Sequence, residues 1–205
     1  HVHAPEPVAA DTETTPHEIE NKQVGHLDFE TLETKLVDEM PADINRTDYN
    51  KMEITVGTKA PNFTLRNSDK AEVSLGDYQG KNVVLLFFPL AFTGVCTTEL
   101  CTMRDDIATY EGLDAEVLAV SVDSLFTLEQ FKKVENYNFQ LLSDFNKDVS
   151  RAYGSLYEDF VLDMKGVSKR SAFVIDKEGM VQYAEVLESA GDLPNFDAVK
   201  AALAK

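Results

Sequence analysis

The most restrictive feature of the sequence is the stretch from Val83 to Asp106, which reads VVLLFFPLAFTGVCTTELCTMRDD and contains both cysteines of the chain. Its first six residues are branched or aromatic apolar residues, and Pro89 ends this run. Such a run predicts a strand buried in a sheet that is covered on both faces. A short loop with Thr93 and Gly94 follows, and a helix is predicted to begin at Cys96.

Cys96 therefore lies where free backbone N–H groups and the positive end of a helix dipole favour a thiolate over a thiol. Because the thiolate is the reactive form, we predict that Cys96 is a nucleophile. All four histidines lie in residues 1–52: His1, His3, His17 and His26. The remaining residues thus offer no imidazole base, which excludes a Cys-His thiol hydrolase within them. The helix start and a nearby arginine are the remaining means of activation.

Four arginines follow residue 52: Arg66, Arg104, Arg151 and Arg170. Arg170 directly precedes the apolar segment 171–175, which predicts another buried strand. An arginine just before the first residue of such a strand can direct its planar guanidinium group into a site at the edge of the sheet. The alternative is a surface arginine that pairs with one of the many carboxylates.

Cys101 follows Cys96 at a spacing that does not suit a disulfide on an intact helix. Five helical residues separate two Cα atoms by roughly 8–9 Å and place them on different faces, whereas a disulfide requires about 4.4–6.8 Å. Either the helix unwinds before these cysteines bond, or Cys101 is packed in the interior. Two ordinary buried thiols are a further alternative, since free cysteine is often a core residue.

The chain of 205 residues is long enough for one domain with a single core. From residue 53 onward, strand-like and helix-like segments alternate, and a hairpin turn is predicted at 176–179. This order predicts an α/β protein with a mixed central sheet and helices on both faces. The strands are predicted at 63–65, 72–75, 83–88, 117–122, 139–142, 171–175 and 180–186, and the helices at 96–110, 125–135, 147–153 and 196–205.

Residues 1–52 form an acidic extension with 12 Asp and Glu against 4 Lys and Arg. The first twenty residues have the composition of a disordered segment, and a short amphipathic helix is predicted at 27–40. The net charge of −17 disfavours binding to nucleic acid or to an anionic membrane surface. We expect a cytoplasmic protein, although a targeting segment before His1 would not be seen.

The segment Pro89-Leu90-Ala91-Phe92-Thr93-Gly94-Val95-Cys96 resembles the Pro-x-x-x-Thr-x-x-Cys signature of the peroxiredoxins. Glu99, Arg170 and the segment 60–65 also fit this family. The amino-acid sequences of residues 87–94 and 142–145 are most similar to those of the alkyl hydroperoxide reductase E branch. The spacing of the two cysteines is instead similar to the bacterioferritin-comigratory (peroxiredoxin Q) branch. The resemblance covers residues 53–205.

This resemblance implies a thioredoxin-like fold and the reduction of hydroperoxides with neither a metal nor an organic cofactor. It implies that the Cys96 thiolate attacks the peroxide and becomes a sulfenic acid. Thr93 would bind the peroxide through its hydroxyl group, and Arg170 would stabilise the thiolate and the leaving oxygen. Pro89 would shield the site from water, and Glu99 would orient Arg170.

The resemblance also implies how the enzyme is recycled. Cys101 is the candidate resolving cysteine, which would form a disulfide with Cys96 that thioredoxin or a similar thiol donor reduces. The alkyl hydroperoxide reductase E branch often lacks Cys101, so an external thiol is the alternative. A homodimer is expected. The alternative function is a peroxide sensor or redox relay that passes its oxidation to a partner, with residues 1–52 as a docking element.

Overall fold

The computed structural model describes residues 53–205, and its centre is a mixed sheet of seven strands. Apolar, β-branched and aromatic residues dominate the central strands, as expected for strands buried on both faces. The strands are β1 (Thr64–Asn67), β2 (Glu72–Ser74), β3 (Asn82–Phe87), β4 (Ala115–Ser121), β5 (Gln140–Ser143), β6 (Leu156–Asp159), β7 (Lys165–Ser168), β8 (Ser171–Ile175) and β9 (Val181–Val186). The α-helices are α1 (Gly94–Asp105), α2 (Ile107–Gly112), α3 (Leu125–Glu135), α4 (Asp148–Ala152) and α5 (Phe196–Leu203).

The strands follow the order β2-β1-β5-β4-β3-β8-β9 across the sheet. Strands β3, β4 and β5 are parallel neighbours. Strand β8 pairs antiparallel with β3 and with β9, and β1 pairs antiparallel with β5. The prediction of an α/β protein with a mixed sheet is therefore confirmed, and so is the hairpin between β8 and β9.

The apolar run that forms most of β3 and continues to Phe88 contributes side chains to the core on both faces of the sheet. Val84, Leu86 and Phe88 pack into one core cluster together with residues of α1, α3 and α5. Val83, Leu85 and Phe87 pack into the opposite cluster with residues of α4 and of the segment 60–75. Successive side chains of a strand point to opposite faces. A strand covered on both faces is therefore apolar throughout, which explains the unbroken run.

The continuous helix predicted over residues 96–110 is wrong in two respects. Helix α1 begins earlier, at Gly94, because Thr93 has the extended backbone of an N-cap residue. The helix is then interrupted at Asp106, which has φ −105° and ψ 11°. The Asp106 carboxylate accepts hydrogen bonds from the Thr109 hydroxyl at 2.7 Å and from Lys200 Nζ at 2.9 Å. Such local side-chain bonds compete with a regular helix.

A small two-stranded sheet, formed by β6 and β7, is absent from the sequence-based prediction. Its strands carry several charged residues, so that the alternation of apolar and polar residues is weak. The turn between them places Leu162 and Asp163 at φ values of 57° and 60°, which non-glycine residues rarely adopt. Strand β7 ends two residues before Arg170, so this hairpin leads the chain directly to a predicted site residue.

The predicted acidic extension 1–52, with its helix 27–40 and its histidines, lies outside the described residues. Over residues 53–205, every helix is too short or too polar to cross a lipid bilayer.

Tyr153 offers a test of packing on the face opposite helix α1. Its ring is fully buried, and its hydroxyl group donates a hydrogen bond of 2.6 Å to the Pro61 carbonyl. We expect Tyr153→Phe to lower the free energy of unfolding by about 1 kcal/mol, because the partly buried Pro61 carbonyl loses its hydrogen-bond donor. Urea denaturation measures this loss. Tyr110→Phe is the matched control, because its ring is equally buried but its hydroxyl group has no hydrogen-bond partner among residues 53–205, and it should change stability by less than about 0.5 kcal/mol.

Candidate active site

Cys96 is the third residue of helix α1, directly beyond the end of strand β3. Its side chain is 1% exposed. The first backbone N–H groups of a helix have no partner within the helix and carry a partial positive charge. The first intrahelical bond here joins Thr97 N–H to the Thr93 carbonyl, so the N–H groups of the preceding turn are available to an anion at Cys96.

Arg170 is brought to Cys96 by the pairing of two strands that are far apart in the chain. Strand β8 runs antiparallel to β3, and Ser171 lies opposite Phe87. Arg170, which precedes Ser171, therefore lies at the end of β3 where the loop to α1 begins. The sequence predicted that Arg170 serves a site at the sheet edge. It did not reveal the strand pairing that places Arg170 there.

The guanidinium group of Arg170 is buried and donates to three different acceptors. Nη2 donates to Cys96 Sγ at 3.2 Å, Nη1 donates to Glu99 Oε2, and Nε donates to the Ala190 carbonyl at 3.0 Å. Burial lowers the pKa of Arg170, but the negative groups of Glu99 and Cys96 outweigh burial and raise it overall. The alternative of a surface arginine is therefore wrong.

Glu99 lies one helical turn after Cys96 on α1 and is fully buried. Residues three apart on a helix lie on the same face, so both side chains reach the same guanidinium group. Burial raises the pKa of Glu99 to about 7, although Arg170 opposes this shift. The structure thus brings Cys96, Glu99 and Arg170 into one contact, which we call the buried triad.

The loop between β3 and α1 carries Pro89 and Thr93. Pro89 is buried, whereas Thr93 is exposed and its hydroxyl group donates to the Leu90 carbonyl at 2.7 Å. The hydrogen atom of this hydroxyl is therefore engaged, and its oxygen lone pairs can still accept a hydrogen bond. The structure places both residues at the entrance to the helix that bears Cys96.

The same loop is held by residues that the sequence analysis did not select. The Asp123 carboxylate accepts from Ala91 N–H at 2.8 Å and from the Ser121 hydroxyl at 2.7 Å. Phe92 adopts a left-handed φ of 62°, and its ring lies 4.8 Å from that of Phe131. A signal for Asp123 was present, because it follows β4, and the carboxyl ends of neighbouring parallel strands meet at one sheet edge.

Cys101 lies apart from the buried triad. It is half-buried, and its Sγ atom lies 3.6 Å from Glu135 Oε2 and 3.9 Å from Tyr137 Oη. Helix α1 is continuous between Cys96 and Cys101, and both are free thiols. Of the predicted site residues, Cys96 and Glu99 contact Arg170 directly, whereas the contacts of Cys101 are with Glu135 and Tyr137.

The family of the chain follows from comparison with known proteins. Residues 56–184 match the model of the AhpC/TSA family. The chain belongs to this family. The matched range contains the buried triad, the loop with Pro89 and Thr93, and Cys101.

Relatives of this AhpC/TSA protein include alkyl hydroperoxide reductase E from Mycobacterium tuberculosis, which is 41% identical over 136 residues. That match covers 65% of this chain and 86% of the relative. Among solved structures, a peroxiredoxin-like protein from Aquifex aeolicus has a TM-score of 0.68 at 30% identity, covering 75% of this chain and 88% of its own. Peroxidoxin BcpB from Mycobacterium tuberculosis has a TM-score of 0.66 at 27% identity, covering 74% and 97% respectively.

These relatives confirm the resemblance to the peroxiredoxins and to their thioredoxin-like fold. The protein is a peroxiredoxin, an enzyme that reduces peroxides at the expense of thiols.

Replacing Arg170 by an uncharged residue tests the role of the buried triad in peroxide reduction and in stability. We expect Arg170→Met to slow the oxidation of the protein by hydrogen peroxide at least about 100-fold, because the donor to the sulfur of Cys96, the predicted nucleophile, is lost. Stopped-flow measurements follow this reaction. The variant should also lose about 3–5 kcal/mol of stability in urea, since Glu99 is left as an unpaired buried carboxyl group.

The double variant Arg170→Met/Glu99→Met is the control for these two effects. Removing both side chains should restore much of the stability, because no buried carboxyl group is left without a partner. The oxidation rate should stay low. Recovery of the rate together with stability would contradict a direct role for Arg170 at the sulfur.

Proposed function

We propose that this peroxiredoxin reduces hydroperoxides, hydrogen peroxide and organic hydroperoxides alike, through a sulfenic acid at Cys96. The observation that carries the proposal is the 3.2 Å contact between Arg170 Nη2 and Cys96 Sγ. A guanidinium group and a helix N-terminus together favour the thiolate, which is the nucleophilic form.

In the first step, the Cys96 thiolate attacks the terminal oxygen of the peroxide. The S–O bond forms and the O–O bond breaks, so sulfur is oxidised to sulfenic acid and the peroxide is reduced to water or an alcohol. Arg170 donates three of its five N–H bonds to protein acceptors. The two remaining N–H bonds have no acceptor among residues 53–205, so they can stabilise the negative charge on the leaving oxygen.

The loop residues have supporting roles in this proposal. The Thr93 hydroxyl, with its hydrogen directed at Leu90, accepts a hydrogen bond from the O–H group of the peroxide. Pro89 is buried next to the site and limits the access of water. Glu99 orients the guanidinium group of Arg170 through Nη1.

We propose that Cys101 then resolves the sulfenic acid. Its thiol condenses with Cys96–SOH to give a disulfide and water, and thioredoxin or a similar thiol donor reduces the disulfide. The condensation requires helix α1 to unwind, and the sequence of α1 supports this. The hydroxyl groups of three threonines donate to carbonyls four residues earlier, a pattern that weakens helices: Thr97, Thr98 and Thr102. The Thr93 side chain makes no capping bond.

We also propose that the protein forms a homodimer. Three exposed phenylalanines lie just beyond the ends of the neighbouring parallel strands β3, β4 and β5, with exposed fractions of 52%, 62% and 63%: Phe92, Phe126 and Phe145. Aromatic side chains gathered at one sheet edge are typical of a surface that a second molecule covers. Analytical ultracentrifugation of the full chain tests whether it is a dimer.

The cytoplasmic location predicted from the sequence stays a prediction.

The cysteine roles are tested by mass spectrometry after one equivalent of hydrogen peroxide. We expect an intramolecular disulfide between Cys96 and Cys101 in the full chain, because the sulfenic acid has a thiol on the same helix. Cys101→Ser should retain the sulfenic acid, and Cys96→Ser should not be oxidised at a rate above that of free cysteine. A disulfide between two molecules would remove Cys101 from the proposed cycle.

The need for helix unwinding gives a separate prediction. Thr98 and Thr102 are exposed on α1, and replacing both by alanine should stabilise the helix by about 1 kcal/mol. We therefore expect disulfide formation in Thr98→Ala/Thr102→Ala to be slower by about 5-fold. Oxidation of Cys96 itself should be unchanged. Stopped-flow fluorescence and quenched samples separate the two steps.

The control for this variant is Gln130→Ala, which introduces an alanine at an exposed position of helix α3, outside α1. This change should leave the rate of disulfide formation unaltered. An equal rate in the control and in the double variant would mean that unwinding of α1 does not limit the reaction.

A further inference from the structure

The charges of the buried triad do not balance if both of its acids are ionised. Cys96 and Arg170 are each 1% exposed, and Glu99 is fully buried. Arg170 is the single cation, and an arginine does not lose its proton in a protein. A thiolate together with a carboxylate would leave an excess negative charge in a dry interior, which is strongly unfavourable. The triad is neutral only when one proton is shared between Cys96 and Glu99.

The two carboxyl oxygens of Glu99 have different surroundings. Oε2 accepts the hydrogen bond from Arg170 Nη1. Oε1 is buried without a hydrogen-bond partner, and within residues 53–205 it is the one buried side-chain oxygen or nitrogen in this condition. An ionised oxygen without a partner in the interior is costly, whereas a protonated one carries little charge.

Asp144 provides a comparison within the same protein. It is 2% exposed, so it is nearly as buried as Glu99. Both of its oxygens are satisfied, since Oδ1 accepts from Val149 N–H at 3.2 Å and Oδ2 from Ser150 N–H at 2.6 Å. Backbone N–H donors stabilise the ionised form of a carboxyl group. The free oxygen of Glu99 is therefore not a general property of buried carboxyl groups in this fold.

We propose that Glu99 is the proton acceptor for Cys96 and that it carries the proton on Oε1 in the reduced enzyme. The inference rests on the proposed reaction at Cys96, and it assigns to Glu99 a function beyond orienting Arg170. Burial raises the pKa of Glu99 to about 7, against the effect of Arg170, so the protonated carboxyl group is populated at neutral pH.

The other titratable group near Arg170 and Cys96 is Tyr157 on strand β6. Burial is the main cause that raises the pKa of Tyr157, so it stays a neutral phenol at neutral pH. Its hydroxyl group donates to the Leu187 carbonyl at 2.7 Å. Lys169 lies over the Tyr157 ring and pairs with the exposed Glu188, outside the triad. The proton of Cys96 therefore has Glu99 as its acceptor within the site.

The proton balance of the reaction follows from this assignment. On ionisation, the S–H bond of Cys96 breaks and an O–H bond forms at Glu99. On attack, the S–O bond forms, the O–O bond breaks, and the leaving oxygen departs as hydroxide or alkoxide. Glu99 gives up its proton as Cys96 loses its negative charge, and the leaving oxygen becomes water or an alcohol. The net charge of the triad is zero before and after the step.

Infrared difference spectroscopy tests the assignment directly, with Cys101→Ser in the full chain to retain the sulfenic acid. At neutral pH we expect the reduced protein to show the C=O band of a protonated carboxyl group, shifted in D2O and lost when peroxide is added. Glu99→Gln should abolish this band, and Asp144→Asn, the matched control, should leave it in place. Absence of the band in reduced protein overturns the inference. Mass spectrometry of the same samples reports the sulfenic acid, and its absence would overturn the Cys96 proposal and this inference with it.

A measurement of proton uptake gives a second test that a purely orienting role would not affect. In weakly buffered solution with a pH indicator, the protein with Glu99 should take up no net proton as the sulfenic acid forms, since Glu99 supplies it. Glu99→Gln, which keeps an acceptor oxygen for Arg170, should take up one proton from solvent for each sulfenic acid. Equal uptake by both proteins would refute the inference. If Glu99→Gln does not fold, the protein with Glu99 provides the test alone. The infrared band without net proton uptake supports the inference, and either the absence of the band or the uptake of one proton overturns it.

Discussion

The contact between the Arg170 guanidinium group and the Cys96 sulfur is the interaction on which the rest of the site depends. Burying a guanidinium group is tolerable only where its donors find acceptors, and Arg170 has three, from two parts of the chain. Cys96 and Glu99 come from helix α1, and the Ala190 carbonyl comes from the loop that follows β9. The reactive group is thus placed by the same bonds that make burial of the charge tolerable.

Helix α1 serves two requirements that oppose each other. It must be formed for its N-terminus to face Cys96 and for Glu99 to share the guanidinium group. In the proposed cycle it must also unwind so that Cys101 can reach Cys96. The threonines of α1 and its weak N-cap reduce the stability of the helix, whereas Leu100 and Met103 hold it to the core. The balance between these contributions sets how readily the site opens.

Much of the fold could be predicted from the sequence, because strands buried on both faces require unbroken apolar segments. The run in β3 and the segment that forms β8 are examples. The hairpin of β6 and β7 could not be predicted, since its charged residues weaken the apolar pattern and its turn uses left-handed residues other than glycine. The break at Asp106 could not be predicted either, since one of the two side chains that donate to the Asp106 carboxylate, Lys200, is distant in sequence.

The sequence by itself identified Cys96 as the proposed nucleophile and narrowed the means of its activation. Cys96 follows a buried strand at a helix start, and residues 53–205 contain no histidine, so a cation other than imidazole was required. Only the tertiary structure decided that Arg170 contacts Cys96 and that Cys101 lies apart from this contact. The reason is physical: Arg170 reaches Cys96 through antiparallel pairing of β8 with β3, across 74 residues of chain. Long-range pairing and the burial of charge are properties of the folded chain, and they also leave Glu99 with one oxygen that has no partner among the described residues.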